Sequence, residues 1–172
     1  MEKKDLSKGD EAPLFNLDSY NAGTINLGSL IGDQKLVLIF SRYFGCPICQ
    51  VDFRELMTRR SEIEEKGAKI IYITQSSEEK AKEVIEKENI NFPVILSSKD
   101  ELYTDYGLGL MSPETVKQIP LKLKDVRKFG FEHGEYEGWE KQGPGQFVID
   151  EQGKIIHALK GWLDIDKLLS VL

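Results

Sequence analysis

Leu36-Val37-Leu38-Ile39-Phe40-Ser41-Arg42-Tyr43-Phe44-Gly45-Cys46-Pro47-Ile48-Cys49 leads from an unbroken apolar run into the only two cysteines of the chain. Five consecutive apolar residues, most of them branched, predict a strand covered on both faces and therefore central in its sheet. Beyond the cysteines, Val51, Phe53, Leu56, Met57 and Ile63 recur at roughly helical spacing as far as Gly67. Pro47 stands where a first helical residue would, a position at which its missing N–H costs nothing. A helix of about five turns is therefore expected to begin at the cysteines.

Both sulfurs then lie at a helix N-terminus, whose unpaired N–H groups and positive dipole end lower a thiol pKa; the thiolate is the reactive form. Positions i and i+3 share a helix face, so the two sulfurs can approach closely enough for a disulfide. Their roles should be unequal, with Cys46 attacking from the tip and Cys49 a turn deeper. Arg42 offers a permanent positive charge to the thiolate or to a bound peroxide oxygen. The alternative is a solvated or ion-paired arginine at a strand end.

Working outward, residues 11 to 34 alternate short apolar pieces with turn formers and read as an irregular hairpin. Ile70 to Thr74 is a second buried strand. Ser76 to Glu79 fits a capping box ahead of another helix, and Phe92 to Leu96 is a strand with Pro93 near its start. Ser98 to Glu101 repeats the capping box before a short helix closed by Gly107. Residues 108–143 read as an irregular excursion, with a helix start at Met111 to Glu114 and glycines at 130, 134, 138 and 143. Gln146 to Asp150 and Lys154 to Leu159 form a strand-turn-strand hairpin, and Asp164 caps a last helix from Ile165 to Val171. Parallel strands joined by right-handed crossovers, then an antiparallel hairpin, make an α/β fold with a mixed central sheet flanked by helices, in a thioredoxin-like order.

The 172 residues suffice for a single domain, 1–172, that needs no disulfide framework. The first ten residues hold no apolar core of a signal peptide and no segment approaches a membrane span, so a soluble, cytoplasmic protein without a membrane partner is expected. In a reducing compartment a C-x-x-C pair is more often catalytic or metal-binding than structural. A formal charge of −6 argues against a nucleic-acid partner. Zinc wants a second ligand pair, but His133 and His157 are far apart in sequence and no third cysteine exists, so no metal and no cofactor are expected. A bland alternative is that both cysteines simply fill core.

Two reactions suit the pair. In peroxide reduction the Cys46 thiolate attacks the O–O bond, becomes a sulfenic acid and condenses with Cys49. In thiol–disulfide exchange it attacks a substrate disulfide, and Cys49 resolves the mixed disulfide. Both end in a Cys46–Cys49 bond.

Gly9 to Leu17, Leu36 to Phe40, Cys46-Pro47, and Phe147 to Asp150 with Gly153 together resemble the peroxiredoxin branch of the thioredoxin-fold superfamily, the alkyl hydroperoxide reductase and thiol-specific antioxidant proteins, in a Gly-Cys-x-x-Cys form. The resemblance implies a thioredoxin fold with an N-terminal extension. It further implies a thiol-dependent peroxidase with Cys46 as the attacking and Cys49 as the resolving cysteine, and a thioredoxin-type electron donor. Pro144 falls where related reductases carry a cis-proline facing the C-x-x-C, and is expected to be cis. The chain departs from the family motif Pro-x-x-x-Thr/Ser-x-x-Cys: Ile39 and Tyr43 stand at the proline and hydroxyl positions, and Pro144 replaces a later arginine. Tyr43 and Arg42 are the candidates to position a peroxide in their place. Such proteins often pair near the active site, which leaves a homodimer open.

Trp139 and Trp162 are expected to serve in packing, and His133 and His157 lack a recognisable catalytic partner. Lys117, Lys122, Lys124, Arg127 and Lys128 form a basic cluster, of a kind that is usually a solvated face. The excursion as a whole is a candidate lid over the cysteines. Three functions follow: a thiol peroxidase, a protein disulfide oxidoreductase, and a redox-sensing binding module.

Overall fold

The computed structural model describes residues 5–97 and 101–172. A short antiparallel pair, β1 (Asn16–Asp18) and β2 (Thr24–Asn26), precedes one turn of helix, α1 (Leu27–Leu30). The apolar run is β3 (Leu36–Phe40), and Pro47 opens the long helix α2 (Pro47–Glu65). Next come β4 (Lys69–Thr74), α3 (Glu78–Glu88), β5 (Val94–Leu96) and α4 (Leu102–Asp105). Then α5 (Pro113–Lys117) and α6 (Ile119–Phe129) lead to β6 (Gly145–Ile149), β7 (Ile155–Leu159) and α7 (Ile165–Val171).

The main sheet has the order β5-β4-β3-β6-β7, with β3 parallel to β4 and antiparallel to β6. Every residue of β3 is buried, which is the physical meaning of its unbroken hydrophobicity. Leu36, Leu38 and Phe40 pack into a core with Tyr106 and Phe147 on one face. Val37 and Ile39 pack on the other face with Phe53, Leu56 and Leu168. A third cluster gathers Tyr43, Cys46, Cys49, Val126 and Trp162 at the C-terminal end of β3. No described helix is long and apolar enough to cross a membrane.

Two expectations need revision. Ser77, not Ser76, caps α3 by accepting the Lys80 amide, because the Ser76 hydroxyl is drawn inward to the Phe44 amide at 2.8 Å. The excursion is largely helical: α5 starts within the expected stretch Met111 to Glu114, capped by Ser112, and α6 follows at once with Pro120 in its first turn. The four breaking glycines cluster at and after the end of α6, where Gly130 takes a left-handed conformation, so they end the helix instead of preventing it. The second capping box at Ser98 lies outside the described residues; Glu101 stands at the start of α4 without a side-chain cap.

Candidate active site

The chain leaves β3, crosses Ser41 to Gly45 and enters α2 with Cys46 as its N-cap in an extended conformation. The Cys46 Sγ therefore takes the place a serine or aspartate oxygen usually holds, accepting the Cys49 amide at 3.3 Å. Arg42 Nη1 donates to the same sulfur at 3.4 Å. Its Nη2 donates to the Glu140 carbonyl, while its buried Nε finds no hydrogen-bond partner among the described residues. The guanidinium thus bridges the Cys46 sulfur and the excursion.

Both cysteines are free and buried. The thiol of Cys49, as a hydrogen-bond donor, holds Cys46 down to about 6; the Arg42 charge and the first-turn amides assist against the cost of burial. Burial drives Cys49 in the opposite direction, well above an ordinary thiol, and the same hydrogen bond to Cys46 adds to it. The Cys46 thiol is thereby lowered and the Cys49 thiol raised.

Tyr43 is buried beside the cysteines, and burial pushes its phenol up to about 12. Its hydroxyl lies 3.3 Å from His133 Nε2. His133 Nδ1 lies 2.6 Å from the Gly134 carbonyl, so in the neutral ring Nδ1 carries the proton and Nε2 accepts from Tyr43. The His133 ring stacks on Tyr136 at 4.1 Å. Sequence spacing gave no sign of this pairing, because the partners are ninety residues apart.

The tail of the excursion, residues 131–143, lies across the mouth of the site. The Gly134 amide donates to the Gly45 carbonyl at 2.8 Å, and Gln50 Nε2 to the Glu132 carbonyl at 3.1 Å. Trp139 and Gln75 exchange two hydrogen bonds, and the Glu137 carboxylate accepts the Ser77 amide at 2.7 Å. The strap sits so close that a Cβ on Gly45 would lie 2.5 Å from the Glu135 carbonyl oxygen. Under it, Cys46 is only 2% exposed.

Pro144 lines a small cavity beneath the site together with Cys49, Asp52, Tyr72 and Trp162. No described peptide bond is cis, and the bond preceding Pro144 is trans, contrary to expectation. Trans is the default for X-Pro, and the Gly143 amide and carbonyl on the near side are already satisfied by Gly109 O at 2.7 Å and Gln142 Nε2 at 3.1 Å. Asp52 is the residue that motif reading passed over. One turn below Cys49, its Oδ1 binds Lys122 Nζ at 2.6 Å and its Oδ2 accepts the Leu163 amide at 3.0 Å. Its i+3 spacing from Cys49 was the available signal. Trp162 packs in the cysteine cluster, whereas Trp139 is half exposed on the strap. His157 bonds Gln146, which ties β6 to the start of α7, a structural link. Of the basic cluster, Lys122 is drawn inward to Asp52, and no group of metal-ligating residues occurs among the described residues.

The family model described as AhpC/TSA matches residues 8–158. Peroxiredoxin Bcp of Escherichia coli (strain K12) is 26% identical over 103 residues, a stretch covering 60% of this chain and 65% of that protein. The match therefore spans just under two thirds of this relative. Peroxidoxin BcpB of Mycobacterium tuberculosis superposes with a TM-score of 0.66 at 19% identity, covering 95% of this chain and 94% of that one. A thiol:disulfide interchange protein from Chlorobium tepidum TLS superposes with a TM-score of 0.62 at 17% identity, covering 95% and 96%. Both structures share the thioredoxin-like fold.

Proposed function

This chain belongs to the AhpC/TSA family, and from that premise we propose that it is a thiol-dependent peroxidase acting through Cys46 and Cys49. The observation that carries the reading is the Cys46 sulfur itself, held by the Cys49 amide and the Arg42 guanidinium and lowered to about 6 beside a second thiol that keeps its proton. At neutral pH Cys46 is a thiolate. It attacks the near oxygen of a hydroperoxide, the O–O bond breaks, and the leaving oxygen departs as alkoxide or hydroxide and takes a proton from solvent. Arg42 stabilises the developing charge, since it already reaches the attacking atom. Cys49 then displaces hydroxide from the Cys46 sulfenic acid, and the disulfide is returned to dithiol by a thioredoxin-type donor. We assign Tyr43 to walling the pocket, because its hydroxyl is turned to His133. Pro144 we assign to the wall beside Cys49, and the strap to a lid that must lift for substrate. Chain 1–172 then works as one cytoplasmic domain.

A second reading, a disulfide oxidoreductase, is favoured by one feature: Ile39 and Tyr43 replace the proline and hydroxyl residue of the family motif. Stopped-flow oxidation of reduced protein by hydrogen peroxide and by an organic hydroperoxide, with Cys46→Ser and Cys49→Ser alongside, separates the two. The peroxidase reading expects oxidation far faster than a free thiol, lost in Cys46→Ser, with a sulfenic acid trapped on Cys46 in Cys49→Ser. Oxidation no faster than a free thiol, with rapid reduction of a protein disulfide, selects the alternative.

A further inference from the structure

The resolving step must take the proton from the Cys49 thiol before its sulfur can attack. Cys49 is buried and its thiol is held well above the ordinary range, yet only the thiolate attacks sulfur. The cavity beneath the cysteines supplies an acceptor. It measures about 20 Å³, room for a single water. Its mostly apolar wall includes Cys49, Asp52, Ser41 and Tyr72, the residues whose polar atoms are the available partners for that water.

We propose that Asp52, through one water in this cavity, accepts the Cys49 proton as Cys49 attacks the oxidised Cys46. The proposal rests on the order of attack given above. As the Cys49 sulfur bonds to Cys46, the Cys46–O bond breaks, the Cys49 proton passes to the Asp52 carboxylate, and from there to the departing hydroxide, which leaves as water. With a mixed disulfide on Cys46 the same proton goes to the departing thiolate.

Asp52 is built for the task by its neighbours. From α6, the Lys122 ammonium at 2.6 Å keeps a carboxylate in a place where burial alone would neutralise it. From the segment before α7, the Leu163 amide holds Oδ2. On its own helix Glu55 opposes ionisation, and from β4 the Tyr72 phenol, bonded to Ser41, faces it in the cavity. Asp125 and Lys160 stand beyond Lys122, lining the outer cleft that Lys122 also borders. The balance leaves Asp52 ionised at neutral pH but close to taking a proton, which is the condition for an effective base.

The test separates the two chemical steps without peroxide. Reduced protein is mixed with methyl methanethiosulfonate, which places a small methylthio group on Cys46, and acid-quenched mass spectrometry follows the adduct as it forms and as it collapses to the Cys46–Cys49 disulfide. Asp52→Asn should slow the collapse at least tenfold at pH 7 while changing adduct formation by less than threefold. Lys122→Met retains the acid but loses the cation, so the low-pH limb of the collapse rate should move to higher pH. A purely structural Asp52–Lys122 pair would lower thermal stability in both variants and leave the collapse rate and the position of that limb unchanged, which overturns the proposal. Absence of any adduct on Cys46 would instead remove the reading on which the proposal rests, and the proposal with it.

Discussion

The amide of Cys49 donates to the sulfur of Cys46 across 3.3 Å, so the first turn of α2 closes on its own N-cap with sulfur in place of the usual oxygen. The thiol of Cys49 is the largest influence lowering Cys46, ahead of the Arg42 charge. The side chain proposed to resolve the oxidised Cys46 is therefore also the one that lowers its thiol.

That ranking can be tested by titrating thiolate absorbance or iodoacetamide alkylation against pH. In the wild type the reactive fraction should rise as pH rises through about 6. Cys49→Ala deletes the donor and should move the midpoint upward by more than Arg42→Met does. Cys49→Ser keeps a hydroxyl donor and should stay near the wild type. An unmoved midpoint in Cys49→Ala would show that the helix terminus and Arg42 suffice.

The contact of Gly45 with the strap gives a second prediction. A methyl group at Gly45 meets the backbone of Glu135, which no rotamer change can relieve. Gly45→Ala should lift residues 131–143, cost roughly 1–3 kcal/mol in stability, and speed alkylation of Cys46 by a bulky maleimide about tenfold while small reagents change little. Equal rates with the bulky reagent in both proteins would mean that the strap does not govern access.

Trp162 provides an optical handle. Its indole N–H donates to the Thr115 carbonyl at 3.0 Å, and its ring packs in the cysteine cluster. Formation of the Cys46–Cys49 disulfide should change its emission, and Trp162→Phe should abolish most of that change, whereas Trp139→Phe should not. The Thr115 carbonyl keeps its bond from the Gln118 amide at 3.2 Å, so losing the indole donor should cost only about 0.5–1.5 kcal/mol for that hydrogen bond, measurable by urea unfolding. A signal that survives in Trp162→Phe would place the reporter on the strap.

Local patterns carried most of the fold and half of the site. The β3 run, Pro47 and Asp164 each act through neighbours within a few residues, so strand, helix start and cap were legible as they stand. The helix position of the two cysteines was legible too, but the forces that set them apart, the hydrogen bond from Cys49 to Cys46 and the burial of Cys49, belong to the folded site. The helical nature of residues 119–129 was masked by Pro120 and by the glycines that follow. The cap of α3 moved by one residue because Ser76 finds a tertiary partner in Phe44. Tyr43 with His133, and Asp52 with Lys122, are pairings across ninety and seventy residues, set by packing that no spacing in the chain encodes.

Asp52 also makes a prediction about stability. Burial raises its folded pKa to about 6 from an ordinary value of 3.8, with Lys122 pulling the other way. The folded protein therefore holds more protons than the unfolded chain between these two values. By linkage, stability from this group is fully present below the lower value and is lost as pH rises through the upper one. The loss amounts to about 3 kcal/mol at 1.36 kcal/mol per pH unit. Asp52→Asn is neutral throughout, so its stability relative to the wild type should improve by about that amount between pH 3.5 and pH 7 in urea unfolding. Lys122→Met should extend the wild-type decline to higher pH, because only the Leu163 amide then favours the charged carboxylate. Parallel stability curves for wild type and Asp52→Asn would mean that Asp52 titrates alike in both states, and the carboxylate would lose its claim to be poised by burial.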